Sequence, residues 1–168
     1  LNLFAYTGGA TLAAASAGAS VCHVDAAKGM VQWGKENREL SQLPETSFRW
    51  IVEDALRFVQ REIRRGNTYD GILMDPPSYG RGPSGEVWKL EECAYDLLAL
   101  VVQILTDKPL FFLINSYTTG LSPMTMQYLL ELHVCNKYGG VTESGELGLK
   151  VTQTVAFLPC GASSRWMR

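Results

Sequence analysis

Residues 1–25, LNLFAYTGGATLAAASAGASVCHVD, hold one full period of the pattern that organises this chain. A short apolar run from Leu1 to Tyr6 is stopped by Gly8-Gly9. An alanine-rich stretch from Ala10 to Ala17 then reads as a helix closed by Gly18, and a second apolar run, Ser20 to Val24, ends on Asp25. Short run, helix, short run is a βαβ unit, whose two strands lie parallel. The pattern recurs. Lys28 to Leu40 reads as a helix and Phe48 to Val52 as a strand ending at Glu53. Asp54 reads as the N-cap of a helix to about Arg65, with Leu56, Val59 and Ile63 on one face. Tyr69 to Met74 is a fourth strand, ending at Asp75. The helix from Lys89 to about Thr106 sets Leu90, Cys93, Ala94, Leu97, Leu98, Val101, Val102 and Leu105 on one buried face. Leu110 to Ile114 is a fifth strand, and Ser122-Pro123 pairs an N-cap with a first-position proline to open a helix to about Val134. After Gly139-Gly140 the helices stop: Val141 to Val151 and Thr154 to Leu158 are expected to form an antiparallel hairpin. Five βα units and a hairpin describe an α/β fold, a Rossmann-like doubly wound sheet with helices on both faces.

At 168 residues the chain is the size of one domain, and 46% hydrophobic with 19% charged residues excludes disorder and coiled coil. No apolar run reaches the roughly 18 residues of a membrane span, and no signal-peptide pattern opens the chain. Cys22, Cys93, Cys135 and Cys160 are scattered without a C-x-x-C pair, which fits neither a disulfide framework nor a zinc site. A reducing cytoplasm suits them, and no metal is expected. The net charge of -2 gives no electrostatic sign of nucleic-acid binding by this stretch as a whole. Residues 1–168 therefore read as one domain. Because a strand opens at Leu1 with nothing to cover the sheet edge, residues upstream of it are expected.

Doubly wound sheets bind ligands beyond the carboxyl ends of their strands. Polar residues stand there in series: Tyr6-Thr7-Gly8-Gly9, then Asp25 with Ala26, then Glu53-Asp54 with Ala55, then Asp75-Pro76-Pro77-Ser78-Tyr79. A glycine turn lets backbone N–H groups approach a ligand. An acid after the second strand can accept ribose hydroxyls, and one after the third can accept an adenine amino group. No G-x-G-x-x-G or G-x-x-x-x-G-K-[ST] occurs, so the expected ligand carries adenosine without a pyrophosphate, and a nicotinamide dehydrogenase is disfavoured. In the fourth segment two prolines lock the backbone and remove two N–H donors. Carbonyls and the Asp75 carboxylate are left as acceptors for an exocyclic amine, and Tyr79 offers a ring on which a base can stack.

These segments together resemble a class I S-adenosylmethionine-dependent methyltransferase. They are similar, more closely, to the bacterial ribosomal-RNA large-subunit methyltransferases with a D-P-P-S-[FY] motif. Leu1 to Gly9 matches the first motif of that family, Val24-Asp25 with Lys28 and Asn37 the second, Glu53-Asp54-Ala55 with Phe58 the third, and Asp75 to Tyr79 with Gly80, Gly82 and Lys89 the fourth. The resemblance implies a sheet of seven strands, the last antiparallel. It implies S-adenosylmethionine held by Tyr6, Thr7, Gly8, Gly9, Asp25, Ala26, Glu53, Asp54, Ala55 and Asp75, and catalysis by Asp75, Pro76, Pro77 and Tyr79. It also implies RNA as the substrate, recognised with the help of an upstream module. Ala27 stands where the family usually has Ser. Asn115-Ser116-Tyr117-Thr118 replaces the cysteine segment of cytosine-C5 methylating relatives, so no thiol is evident to add to a pyrimidine, and a base nitrogen is the expected acceptor. Two other readings stand beside this one: the same fold acting on a small molecule or protein side chain, and a catalytically silent cofactor- or partner-binding module. Arg57, Arg61, Arg64 and Arg65 read as a solvated basic stripe. Arg81-Gly82-Pro83-Ser84-Gly85 reads as a flexible loop, with Arg81 and Lys89 facing phosphate or solvent. His23, His133, Cys22 and Cys93 read as packing.

Overall fold

A computed structural model describes residues 1–81, 87–118 and 120–168, the side chain of Arg81 excepted. Strands β1 (Asn2–Leu3), β2 (Val21–Asp25), β3 (Phe48–Val52), β4 (Gly71–Met74) and β7 (Phe111–Ser116) run parallel, joined through helices α1 (Gly9–Ser16), α2 (Lys28–Leu40), α3 (Ala55–Arg65) and α4 (Leu90–Val101). Two short strands, β5 (Tyr79–Arg81) and β6 (Val87–Lys89), form a separate antiparallel ribbon between β4 and α4. Helix α5 (Pro123–Leu130) continues through a π turn, Glu131–Cys135, and a last turn, Asn136–Tyr138. The hairpin β8 (Val141–Lys150) and β9 (Phe157–Met167) completes a seven-stranded sheet of order β3-β2-β1-β4-β7-β9-β8, in which β9 is antiparallel to both neighbours.

The order follows from handedness. From β1 through β2 to β3 the chain steps one way, and from β3 through β4 to β7 it steps the other. Right-handed crossovers then put α1 and α2 on one face and α3 and α4 on the other. The reversal falls between β1 and β4, and ligands bind at such a point. The main core lies between the sheet and the face carrying α3 and α4, where Leu3, Val24, Phe58, Ile72, Leu98, Phe112, Ile114 and Trp166 are wholly buried.

The hairpin differs from the expected one. Its second strand is Phe157–Met167 rather than Thr154 to Leu158, because Ala162 to Met167 pair with β7 as well as β8. A stretch as poor in β-formers as Ala162-Ser163-Ser164-Arg165 becomes strand because both its edges are hydrogen-bonded. The fifth parallel strand likewise reaches Ser116 instead of stopping at Ile114. The fourth helix ends at Val101 and passes into a 3-10 turn, Val102–Ile104.

Two buried polar groupings hold elements in register. Asn2 Nδ2 donates to Thr11 Oγ1 at 2.9 Å, and Thr11 Oγ1 lies 2.9 Å from His23 Nδ1, tying β1, α1 and β2. Burial pushes His23 down to about 4, so it packs against Trp50 as a neutral ring, in keeping with the packing role read from the sequence. On the other face Glu62 of α3 accepts from Tyr69 Oη at 2.7 Å, Asn67 Nδ2 at 3.0 Å and Arg49 Nη1 at 3.1 Å. Burial alone would raise this carboxyl, but those hydrogen bonds and the Arg49 charge outweigh it and hold Glu62 at about 2.

Candidate active site

The chain leaves β1 through a strained turn. Phe4 and Tyr6 have φ of 56° and 49°, left-handed values that cost non-glycine residues energy, and Gly8 follows at 88°. Four hydrogen bonds impose this path. Ala5 N donates to Val24 O at 3.0 Å, Gly8 N to Ala5 O at 3.0 Å, Tyr6 N to Asp25 Oδ2 at 2.8 Å, and Asn37 Nδ2 to Thr7 O at 3.0 Å. Asn37, matched to the family's second motif, is thus a clamp from α2 onto the first turn. Gly8 caps α1, whose first N–H groups, on Gly9, Ala10 and Thr11, have no partner within the helix. A side chain at Gly9 would point into open space, so the approach to these donors is clear.

The end of β2 is built round one carboxylate. Asp25 accepts from Tyr6 N through Oδ2 and from Ala27 N through Oδ1, both at 2.8 Å. It joins the β1 turn to the start of α2, and each oxygen keeps a second lone pair for a ligand hydroxyl. Ala26 beside it is exposed. At the end of β3, Glu53 N donates to Asp25 O at 3.1 Å, and Asp54 Oδ1 caps α3 by accepting from Arg57 N at 3.0 Å. Ala55 is buried. The Glu53 side chain forms an ion pair with Arg61, whose guanidinium lies 5.4 Å from the Phe58 ring centre. Arg61 therefore reaches back to the strand ends rather than joining a solvated stripe; Arg57, Arg64 and Arg65 are exposed as expected, Arg65 also lying 3.7 Å from Glu62.

The Asp-Pro-Pro segment follows β4. Asp75 is half-buried: its Oδ2 accepts from Tyr117 Oη at 3.3 Å, and its Oδ1 is buried without a partner among the described residues. Burial raises the Asp75 carboxyl above its ordinary value, while the Tyr117 hydrogen bond opposes the shift. The Pro77 carbonyl accepts the Trp88 indole N–H at 2.7 Å, and the Ser78 carbonyl accepts Leu90 N at 3.1 Å. One lone pair of the Pro77 carbonyl is thus taken up by the ribbon, and the other remains. The β5–β6 ribbon pairs Gly80 with Trp88 and so holds that indole over the turn. Tyr79 opens the ribbon with about half of its surface exposed (53%), as a stacking ring requires.

Residues 82–86 lie outside the described residues, and the readings placed on Gly82 to Gly85 and on the Arg81 side chain fall there. Lys89 pairs with Glu92 at 2.6 Å instead of standing unpaired. Cys22 is in the core, whereas Cys93 is only half-buried and donates its thiol to Lys89 O at 3.0 Å. His133 packs edge-on against Tyr95. Among the described residues no group of three His, Cys, Asp or Glu side chains could hold a metal, and no helix is long and apolar enough to cross a membrane.

Sequence reasoning missed Tyr117. It stands at the end of β7, next in the series of strand ends after Asp75, and that position was the available signal. A cleft of about 400 Å³ adjoins it, lined by Ser116, Tyr117, Leu121, Pro123, Glu146 and Gly161 among others.

Residues 1–105 match a family described as S-adenosylmethionine-dependent methyltransferase. Over 119 residues the chain is 32% identical to the ribosomal RNA large subunit methyltransferase K/L of Syntrophotalea carbinolica, a match covering 70% of this chain and 16% of that protein. It is 28% identical to the ribosomal RNA large subunit methyltransferase K of Neisseria meningitidis over 118 residues, 69% of this chain and 33% of the relative. The crystal structure of a SAM-dependent methyltransferase from Agrobacterium tumefaciens superposes with a TM-score of 0.87 at 43% identity, covering 99% of this chain and 54% of that one. The chain thus spans between about a sixth and about half of the length of these proteins.

Proposed function

Because the chain belongs to the S-adenosylmethionine-dependent methyltransferase family, we propose that it carries the catalytic site of an enzyme that methylates a base nitrogen in ribosomal RNA. The observation that carries this reading is Asp75: a carboxylate with one oxygen held by Tyr117 and the other buried without a partner among the described residues, in a proline-locked turn that leads to the exposed Tyr79.

The strand ends fit the cofactor. The N–H groups at the start of α1, which have no partner within the helix, suit the methionine carboxylate, and the open space at Gly9 admits it. Asp25 keeps lone pairs for the ribose hydroxyls. Asp54, which retains one uncapped oxygen, suits the adenine amino group better than Glu53, whose charge is met by Arg61. When bound, S-adenosylmethionine supplies a methyl group already activated on a sulfonium, so the protein's task is alignment. Asp75 Oδ1 accepts the N–H of the acceptor amine and helps the nitrogen pyramidalise, which localises its lone pair away from the ring π system. The same carboxylate stabilises the positive charge that develops on nitrogen and can take up the proton it then loses. Tyr79 holds the base plane by stacking. The matched relatives are much longer than this stretch, and a basic RNA-binding part outside residues 1–168, acting in the cytoplasm, completes the proposal.

Methyl transfer from labelled S-adenosylmethionine to ribosomal RNA, followed by mass spectrometry of the nucleosides, tests the reading. An N-methylated base is expected. A product methylated on ring carbon, or an Asp75→Asn enzyme with undiminished turnover, would refute it.

A further inference from the structure

Tyr117 is seated by features far apart in sequence. Ser116 Oγ accepts from Thr118 N at 3.1 Å and Leu121 N donates to Thr118 O at 3.2 Å, which fixes the backbone on either side of the tyrosine. Its ring lies against Gly161 of β9. That glycine has φ of 122°, and a Cβ built there would stand 2.6 Å from Ser116 O and 2.7 Å from the Tyr117 ring. Only a residue without a side chain lets β9 pass so close. The hydroxyl then meets Asp75 across the gap between β7 and β4, while Asp75 Oδ1 is left buried and unpartnered among the described residues.

We propose that Tyr117 is a positioning residue for methyl transfer: its hydroxyl fixes Asp75 through Oδ2 and so reserves Oδ1 for the N–H of the acceptor base, with Gly161 providing the space for its ring. The role assigned to Oδ1 rests on the reading of Asp75 given above. Chemistry agrees with the geometry. A carboxylate free to rotate in a half-buried site presents either oxygen, whereas one anchored by a single neutral donor presents the other. Burial and the neighbouring Asp75 charge raise the Tyr117 phenol, so it remains a donor at neutral pH. The hydrogen bond favours the ionised form of Asp75 against the burial that opposes it.

The test compares Tyr117→Phe and Gly161→Ala with the wild type in the full-length native protein. Tyr117→Phe keeps the ring and removes the donor; Gly161→Ala keeps the donor and displaces the ring. Both are expected to lower kcat about ten- to a hundredfold, with cofactor affinity by calorimetry unchanged. Both are also expected to move the acidic limb of the pH–rate profile to higher pH, because Asp75 loses the bond that favours its charge. A merely structural loss would lower the rate at every pH without moving the limb. The second readout needs no RNA: 13C-carboxyl NMR titration of Asp75 in the unliganded protein, where Tyr117→Phe is expected to raise its midpoint. An unmoved midpoint with an unmoved limb overturns the inference, and so does a Tyr117→Phe enzyme with wild-type kcat. If wild-type protein methylates no RNA, the RNA reading fails by itself, and the titration still decides whether Tyr117 governs Asp75.

Discussion

Asp25, proposed to bind the cofactor, is first a structural residue. Both of its oxygens already hold backbone N–H groups, of Tyr6 and Ala27, so the carboxylate organises the first turn whether or not a ligand is present. Asp25→Ala should weaken S-adenosylhomocysteine binding by roughly 1–3 kcal/mol, measured by calorimetry, through lost hydroxyl contacts and release of the strained Tyr6 backbone. In the proposed mechanism Tyr79 acts on the substrate side of the site. Tyr79→Ala should weaken RNA binding by roughly 1–3 kcal/mol and leave cofactor affinity unchanged. The acids were legible in the sequence because each follows an apolar run directly, and a strand end is a place that a pattern can mark. The Glu53–Arg61 pair and the Tyr117–Asp75 contact were not, since they depend on how a helix turns and on an approach across 42 residues.

Among elements, legibility tracked hydrophobic periodicity. The helices α2 and α3 and the strand β3 were placed to within a residue; α3 is the clearest case, because its apolar spacing is regular and Asp54 and Gly66 cap its two ends. The ribbon β5–β6 was missed, since three-residue strands leave no period to read. In β9 the two hydrogen-bonded neighbours override weak propensity, and that help is absent from any local window. The turn entering the hairpin makes a direct test of this dependence. Gly140 has φ of 86°, and a Cβ there would stand 2.6 Å from Trp166 Nε1. Gly140→Ala should therefore destabilise the protein by about 2–3 kcal/mol in denaturant unfolding, combining backbone strain with overpacking.

For the molecule as a whole, two buried groups make acid unfavourable in successive windows. His23 is held at about 4 against an ordinary 6.5, so between those values the unfolded chain binds the proton more readily and stability falls as the pH drops. Glu62 is held at about 2 against 4.5, so its contribution is complete above 4.5 and is lost as the pH falls towards 2. The melting temperature is expected to decline through both windows, and Glu62→Gln should flatten the lower one only. The balance of 15 basic and 17 acidic residues has a second consequence at this scale. Residues 1–168 alone should bind RNA weakly in filter-binding or anisotropy titrations, because phosphate contacts dominate such affinity. Tight, salt-sensitive binding by this stretch would contradict the proposed division of labour.

The strand order also sets a schedule. β9 lies between β7 and β8 yet follows both in the chain, so on a translating ribosome β8 emerges with no sheet to join. Until β9 is made, β7 keeps an open edge, and Gly161 is not yet beside Tyr117. The N-terminal βα units can settle earlier, as vectorial synthesis favours. The proposed acceptor site is then finished only with β9, and a nascent chain stalled before Phe157 would carry the strand ends of β1 to β3 without a seated Tyr117.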